Sequence, residues 1–249
     1  MLSNLATAYH FAVFEIHARF KRSVLGTLWY ALSTLAIILG LGPLYASIFG
    51  HSLDEYFGYL AFGLVFWNFF QGVISESTAV YQSNQTYIKD MVIHPIVFNV
   101  ALIIKHSFIW FQNLVVVYGL LLLLGFGLAE PSLWCFVYMA PVIMVVFFGS
   151  VASSLISLRF RDFANIINLV VQIFFFLTPI LWKTRPDILG LSVIKYNPVF
   201  YLVSLPRNLL LGEAVNLWVI AISWPVGLGC VWASFWVVRK YRKELVFWL

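Results

Sequence analysis

The chain has 249 residues and a formal net charge of +5, yet only 10% of its residues are charged and 62% are hydrophobic. Soluble domains carry about 25% charged residues, and mean hydropathy here is +0.93, so a soluble globular domain is excluded. The basic residues are clustered at the ends of apolar runs, which is a topology signal and not a nucleic-acid surface.

The first 26 residues open the chain with an amphipathic pattern. Leu5, Tyr9, Ala12, Val13, Ile16 and Phe20 fall within an arc of about 100° at helical periodicity. His10, His17, Arg19 and Lys21 lie elsewhere, and Phe11 and Phe14 fall off the stripe. This predicts a helix lying in the membrane surface, with no cleavable leader. An ordinary lead-in helix packed on the bundle is the alternative.

Six charge-free runs follow, at residues 27–49, 56–74, 107–128, 133–158, 163–182 and 214–238. Each is long enough to cross a bilayer. The fold class is therefore all-α, a polytopic membrane protein of six transmembrane helices preceded by an interface helix. One membrane domain covers residues 1–249, with the spans in 27–238 and a short tail at 239–249. Putting both termini in the cytoplasm places eleven basic residues inside and four outside, all four in one long loop. The positive-inside rule favours that orientation.

The two long connections differ. Residues 75–106 are polar, read as cytoplasmic, and are either a solvated loop or a docking element. Residues 183–213 read as extracytoplasmic and become apolar from Val199 to Leu211. Pro186, Pro198 and Pro206 break that loop, which predicts short re-entrant or interfacial helices.

The assigned spans contain no Asp, Glu, Lys, Arg or His, which argues against an ion-coupled transporter or an intramembrane hydrolase. The five histidines, His10, His17, His51, His94 and His106, read as ordinary polar surface residues. Cys135 and Cys230 lie inside apolar runs, so neither a disulfide framework nor a metal site is indicated. The chain has no Gly-Lys pair and hence no phosphate-binding P-loop. No catalytic residue, cofactor or metal is expected, and energy for uphill transport would come from a partner.

The fifth run is the most informative. At 100° per residue from Phe163, Asn165, Asn168 and Gln172 fall at about 200°, 140° and 180°, with Arg161 and Pro179 near 160°. Phe175 and Phe176 flank this stripe. The opposite side carries Phe163, Ile166, Val170, Phe174 and Leu181. The amides either bond neighbouring helices as packing glue or line a watery path between two copies of the chain. Tyr30, Ser33, Thr34 and Tyr45 of the first run share an approximate face and are candidates for the same path.

Four stretches resemble the membrane subunit of type-two ABC exporters for polysaccharides (O-antigen, capsule, wall teichoic acid). They are Arg19-Phe-Lys-Arg-Ser-Val-Leu-Gly-Thr-Leu-Trp29, Arg159-Phe-Arg-Asp162, Thr178-Pro-Ile-Leu-Trp182, and Tyr196-Asn-Pro198 followed by Arg207. The resemblance implies a homodimer in the bacterial inner membrane and two copies of a separate ATP-binding subunit that hydrolyses ATP. It implies export of a polyprenyl-diphosphate-linked glycan, O-antigen first. Capsule or teichoic acid, and a drug or small lipid, are the alternatives. In such proteins the N-terminal helix and the loop after the second span meet the ATPase. That assigns Arg19, Lys21, Arg22, Gln85, Lys89, Asp90 and His94 to the ATPase interface. Tyr196, Asn197, Pro198 and Arg207 would form the outer gate. Lys89-Asp90 departs from the family, where two basic residues are frequent, and Pro95 is displaced by one residue.

Overall fold

The computed structural model describes residues 2–90, 93–126, 133–183, 194, 196–213 and 215–248, and these form helices alone. There are eleven of them: α1 (Leu2–Phe20), α2 (Leu28–Phe49), α3 (Leu53–Ser77), α4 (Val80–Ser83), α5 (Gln85–Lys89), α6 (Ile96–Leu123), α7 (Leu133–Arg159), α8 (Phe163–Leu177), α9 (Pro198–Leu210), α10 (Leu217–Lys240) and α11 (Arg242–Trp248). Five of them, α2, α3, α6, α7 and α10, are long and apolar enough to cross a membrane. The protein is an all-α polytopic membrane protein.

Local chemistry sets the boundaries. Gly50 ends α2 at φ 69°, and its N–H reaches the carbonyls of Ala46 and Ser47. A left-handed C-cap of this kind is easiest for glycine. Two residues on, the Ser52 hydroxyl accepts from the Glu55 N–H, and Asp54 and Glu55 fill the first turn of α3. Negative charge there complements the helix dipole. Asn197 and Asn216 cap α9 and α10 in the same way.

The organising element is α3, which packs against α2, α6, α7, α8 and α9. Of its most apolar stretch 78% is buried inside the protein, against 17% for α10. A helix apolar on all sides is buried by protein when central and faces lipid when peripheral. The two helices show both outcomes.

Three expectations need correction. The third run begins too late: α6 starts at Ile96, so Lys105 and His106 lie inside a helix and are buried. The run at 107–128 was cut short because those two residues ended the charge-free stretch. The connection 75–106 is therefore shorter than expected, and α4 and α5 occupy part of it. Residues beyond Phe126, up to 132, lie outside the described ones.

The fifth run is not one helix. α8 stops at Leu177, and Thr178 is extended at φ −95°, ψ 135°. Proline restricts the preceding residue to extended conformations, and Pro179 follows. Fifteen residues of helix rise roughly 22 Å, short of the ~30 Å hydrocarbon core. The Thr178 N–H closes the last helical bond, to the Phe174 carbonyl at 2.9 Å, and residues 179–183 continue the path.

The apolar stripe of α1 is divided between packing and exposure: Ala12 is buried, and Val13, Ile16 and Phe20 are half-buried. Ala8 and Ala12 pack on Val97 and Ala101 of α6, and Glu15 reaches Lys105 one turn on. Small residues one turn apart permit this close approach. Leu5 and Tyr9 stay exposed. The stripe is therefore exposed near the start of α1 and partly packed further along it.

Arg159 at the end of α7 lies over the Trp248 ring of α11 at 5.3 Å. α1 is held at the start of α6. Both ends of the chain thus gather at one end of the bundle, where α3 and α7 finish and α6 and α8 begin. α9 sits at the opposite end, with Cys135 at the start of α7 donating to the Pro206 carbonyl.

Candidate functional site

Beside α3 lies a groove of mixed polar and apolar lining, made of two adjoining cavities. The larger, of about 900 Å³, is walled by α2, α3 and α6. The smaller, of about 630 Å³, lies between α2, α3 and α8. Asn68, Gln71, Ser75 and Asn168 border both.

The predicted path residues divide. Tyr30, Ser33, Thr34 and Asn168 line the larger cavity. Asn168, Gln172, Phe175 and Phe176 line the smaller. Asn168 and Gln172 are exposed, and α8 packs on the bundle through Val171 and the Phe174–Phe175 side. The amide stripe therefore borders the groove at its open edge. Tyr45 stacks on Phe49 instead, with centroids 5.9 Å apart. Arg161 and Asn165 are exposed at the start of α8, outside both cavities.

Three groove residues escaped the sequence reading: Asn68, Gln71 and Asn113. The Thr34 hydroxyl donates to the Tyr30 carbonyl at 2.8 Å and accepts from Asn68 Nδ2 at 3.0 Å and Asn113 Nδ2 at 3.2 Å. Trp67 Nε1 donates to Gln71 Oε1 at 2.6 Å. Asn68 and Gln71 are three residues apart on α3, and Asn113 lies on α6. Only the packing of α2, α3 and α6 brings them together.

At the end of the larger cavity nearest α1 sits a charged knot. Lys105 Nζ donates to Glu15 Oε2 and to Glu76 Oε1, both at 2.6 Å. His106 Nε2 lies 2.8 Å from Glu76 Oε2, and Arg19 Nη1 lies 3.7 Å from the same oxygen. Gly72 makes the room, since a Cβ there would come within 2.6 Å of the His106 ring. The expectation of helices free of ionisable groups, with five surface histidines, is corrected here: Lys105 is 3% exposed and His106 5%.

The expected ATPase-facing residues surround that end. Lys21, Arg22, Gln85, Lys89 and Asp90 are exposed. Buried Tyr81 and Ile88 anchor α4 and α5 beneath them, and burial raises the Tyr81 pKa. Phe11 of α1 meets Tyr87 of α5 and Phe98 of α6 edge-on at 5.5 and 5.2 Å, so α1 and α5 form one platform. His94 is half-buried, and desolvation, then the nearby Arg242 charge, lowers its pKa.

At the far end the expected gate residues form a second knot. Arg207 is 1% exposed. Its Nη1 donates to the Pro179 carbonyl at 2.6 Å, and its guanidinium lies 3.7 Å over the Tyr59 ring. Burial lowers its pKa, opposed by Tyr59 and Glu213. Tyr59 Oη donates within reach of the Pro179 and Trp182 carbonyls, both at 3.0 Å, and Tyr56 Oη donates to Leu181. These carbonyls lie in the irregular segment beyond the end of α8, where side chains take the place of helical partners; Trp182 Nε1 donates back to the Phe176 carbonyl of α8 at 3.1 Å. Asn197 Nδ2 donates to Thr178 Oγ1 at 3.2 Å while its Oδ1 caps α9, where Pro198 takes the first turn. Tyr196 is exposed. The rest of that loop, with Arg185, Pro186 and Lys195, lies outside the described residues.

Fold and groove define a polytopic all-α membrane protein with an amide-bordered groove between a charged knot and a carbonyl-clamping one. A distant homology gives it more particular company. Two Klebsiella pneumoniae proteins, each named O-antigen export system permease protein RfbA, are 24% identical to it over 232 residues, covering 92% of this chain and 90% of the relative. No protein-family model matches the chain.

Proposed function

We propose that the chain is the membrane subunit of an ATP-driven exporter of a polyprenyl-diphosphate-linked polysaccharide, O-antigen in the first place, across a bacterial inner membrane. The observation that carries this reading is the near full-length homology to O-antigen export permeases. The position of Asn168 and Gln172 on the groove agrees with it.

Two copies of the chain pair so that the amide edges of their α8 helices face a shared path. Asn168 and Gln172 bond sugar hydroxyls there, and Phe175 and Phe176 offer faces to the C–H sides of the rings. Two copies of an ATP-binding subunit dock on the α1–α5 platform, with both termini in the cytoplasm. Lys89, Asp90, Gln85 and His94 meet that subunit, and Arg19, Lys21 and Arg22 frame the contact. The exposed Leu5 and Tyr9 of α1 lie in the headgroup region. At the outer end α9 and residues 178–183 act as the gate, with Arg207 holding them together.

Deleting the gene tests the reading. Surface glycan is expected to fall and lipid-linked polymer to accumulate on the cytoplasmic side. Unchanged surface glycan in the deletion strain would defeat it.

A further inference from the structure

The two cavities beside α3 meet at a shared wall. Ile37, Asn68, Gln71, Ser75 and Asn168 border both of them. Asn68, Gln71 and Ser75 follow one another at steps of three and four residues along α3. They therefore lie on one face of it, with about 5–6 Å between successive Cβ atoms. Asn168 and Gln172 are four apart on α8, and Gln172 borders the smaller cavity.

Neighbours fix which way the two α3 amides point. A threonine hydroxyl has one hydrogen to give and two lone pairs to receive. Thr34 gives its hydrogen to the Tyr30 carbonyl, so Asn68 presents nitrogen to it, at 3.0 Å. An indole nitrogen can only donate, so Gln71 presents oxygen to Trp67 Nε1, at 2.6 Å. What each amide has left is opposite in kind. Asn68 keeps an oxygen that accepts, and Gln71 keeps a nitrogen that donates. Gln71 is exposed; Asn68 is half-buried, and its oxygen is not sealed in. An acceptor and a donor one helical turn apart suit groups that both give and receive, as sugar hydroxyls do.

Charge is distributed unevenly around this wall. None of the described residues lining the smaller cavity is Asp, Glu, Lys, Arg or His; beyond its amides and Ser75 the lining is aliphatic or aromatic. The larger cavity has Arg19, Glu76 and His106, all at the charged knot. There Glu76 Oε2 lies 2.8 Å from His106 Nε2 and 3.7 Å from Arg19 Nη1. Arg19 is thus already paired, and its guanidinium lies 5.9 Å over the Tyr30 ring. A carboxylate or phosphate brought to the shared wall would shed water with no free cation to meet it, which is unfavourable. A hydroxyl would exchange water for amides, and Phe175 and Phe176 offer faces to the C–H sides of the ring.

We infer that the groove selects an uncharged, hydroxyl-bearing glycan over one with an anion in each repeat, and that Asn68 and Gln71 of α3 are specificity residues beside Asn168 and Gln172 of α8. The inference rests on the export reading above. It concerns the repeating sugars and not the diphosphate at the lipid end. It favours a neutral O-antigen over an acidic capsule or a phosphate-linked teichoic acid.

Two probes test it on the full chain in nanodiscs of uncharged lipid, by saturation-transfer NMR titration. They are hexamers of galactose and of galacturonate with the same linkage, which differ only in a hydroxymethyl against a carboxylate on each ring. The galactose hexamer should bind about tenfold tighter or more, although the net charge of +5 attracts the acidic one. Gln71→Leu and Asn68→Leu should each weaken the neutral probe roughly tenfold and leave the acidic one unchanged. Gln71 is exposed, so its variant stands even where Asn68→Leu disturbs the fold. A merely structural role would lower the melting temperature and leave the ratio of the two affinities intact. Asn168→Lys adds a cation at the shared wall and should strengthen the acidic probe roughly tenfold. An acidic probe that binds as tightly as the neutral one, or a ratio that none of the three variants changes, would overturn the selection while leaving export standing. Binding of neither probe would overturn the groove as a reader of glycan. Export itself fails on a separate result, intact surface glycan in the deletion strain.

Discussion

The two ends of the bundle each bury a cation, and they neutralise it by opposite means. Near α1, Lys105 is held by two carboxylates, Glu15 and Glu76. At the far end, Arg207 is held by a backbone carbonyl, the Asn208 side chain and the face of Tyr59. A paired charge can be removed together with its partner. A charge that supports unpaired carbonyls cannot, because the carbonyls remain. The first knot joins helix to helix. The second is scaffolding for an irregular segment, and it exists because α8 stops early.

The largest effect is expected at the first knot. Glu76→Gln leaves Lys105 with Glu15 as its remaining carboxylate and takes the anion from His106, and should cost about 3 kcal/mol, the low end for a broken buried pair, read as a drop in melting temperature of the purified protein. The double variant Glu76→Gln/Lys105→Met should recover most of that loss, since an apolar replacement of similar size often equals a buried pair. If the double variant is as damaged as the single, the knot is not a neutralised pair and the comparison breaks.

Arg207 should behave differently. Arg207→Met strips a charged donor from the Pro179 carbonyl and should cost about 1.5–3 kcal/mol. Removing Tyr59 Oη as well should deepen the loss, not relieve it. Arg207→Lys should rescue only in part, because an ammonium lacks the planar fork that bonds Pro179 and Asn208 while lying on Tyr59. Full rescue by lysine would mean that charge alone matters there.

The same contrast explains what the sequence disclosed. Charge-free runs mark where the helices lie, and α2 and α7 begin or end within a residue or so of them, but five and not six of the runs hold a helix long and apolar enough to cross a membrane among the described residues. That rule fails where a charge is buried by a partner distant in sequence. Lys105 and His106 ended the third run, although Glu15 and Glu76 let the helix carry them. At the other end Thr178-Pro179 was read as the end of a span, yet the break in the helix was missed. The reason is that Tyr56, Tyr59 and Arg207 supply the hydrogen bonds which a broken helix needs in lipid. The amides on α8 were legible because three of them share one helix face. Asn68 and Gln71 are a single i,i+3 pair on α3, and no local spacing joins them to Asn113 on α6.

Smaller effects are expected on the outer surface of the first knot, where charges are wet. Lys89→Glu should lower stimulation of the partner ATPase by about two- to fivefold while membrane insertion stays intact, as expected for a charge at an interface rim. Replacing residues 82–94 by a Gly/Ser linker should abolish stimulation. Unchanged stimulation after that replacement would separate the docking site from this end of the molecule.

The smallest perturbation carries the sharpest contrast, since its two key positions, Asn168 and Gln172, are exposed between the two knots. In a Cys135→Ser/Cys230→Ala background, single cysteines at Asn168 and Gln172 should cost within about 0.5 kcal/mol, as surface changes do. The serine retains a donor for the Pro206 carbonyl that Cys135 now bonds. Exposure alone does not separate the two sides of α8, because Val170 is 36% exposed and Ile173 48%. What separates them is the medium. Positions 168 and 172 border the groove, whereas Val170 and Phe174 do not. Thiolates form in water and not in hydrocarbon, so a water-soluble maleimide should label 168 and 172 at least several-fold faster than 170 and 174. Adding ATP and the partner subunit should change the first pair only. Equal labelling of both pairs, or protection of 168 and 172 throughout the ATP cycle, would mean that the amide edge of α8 is packing for a second copy and not the wall of a path.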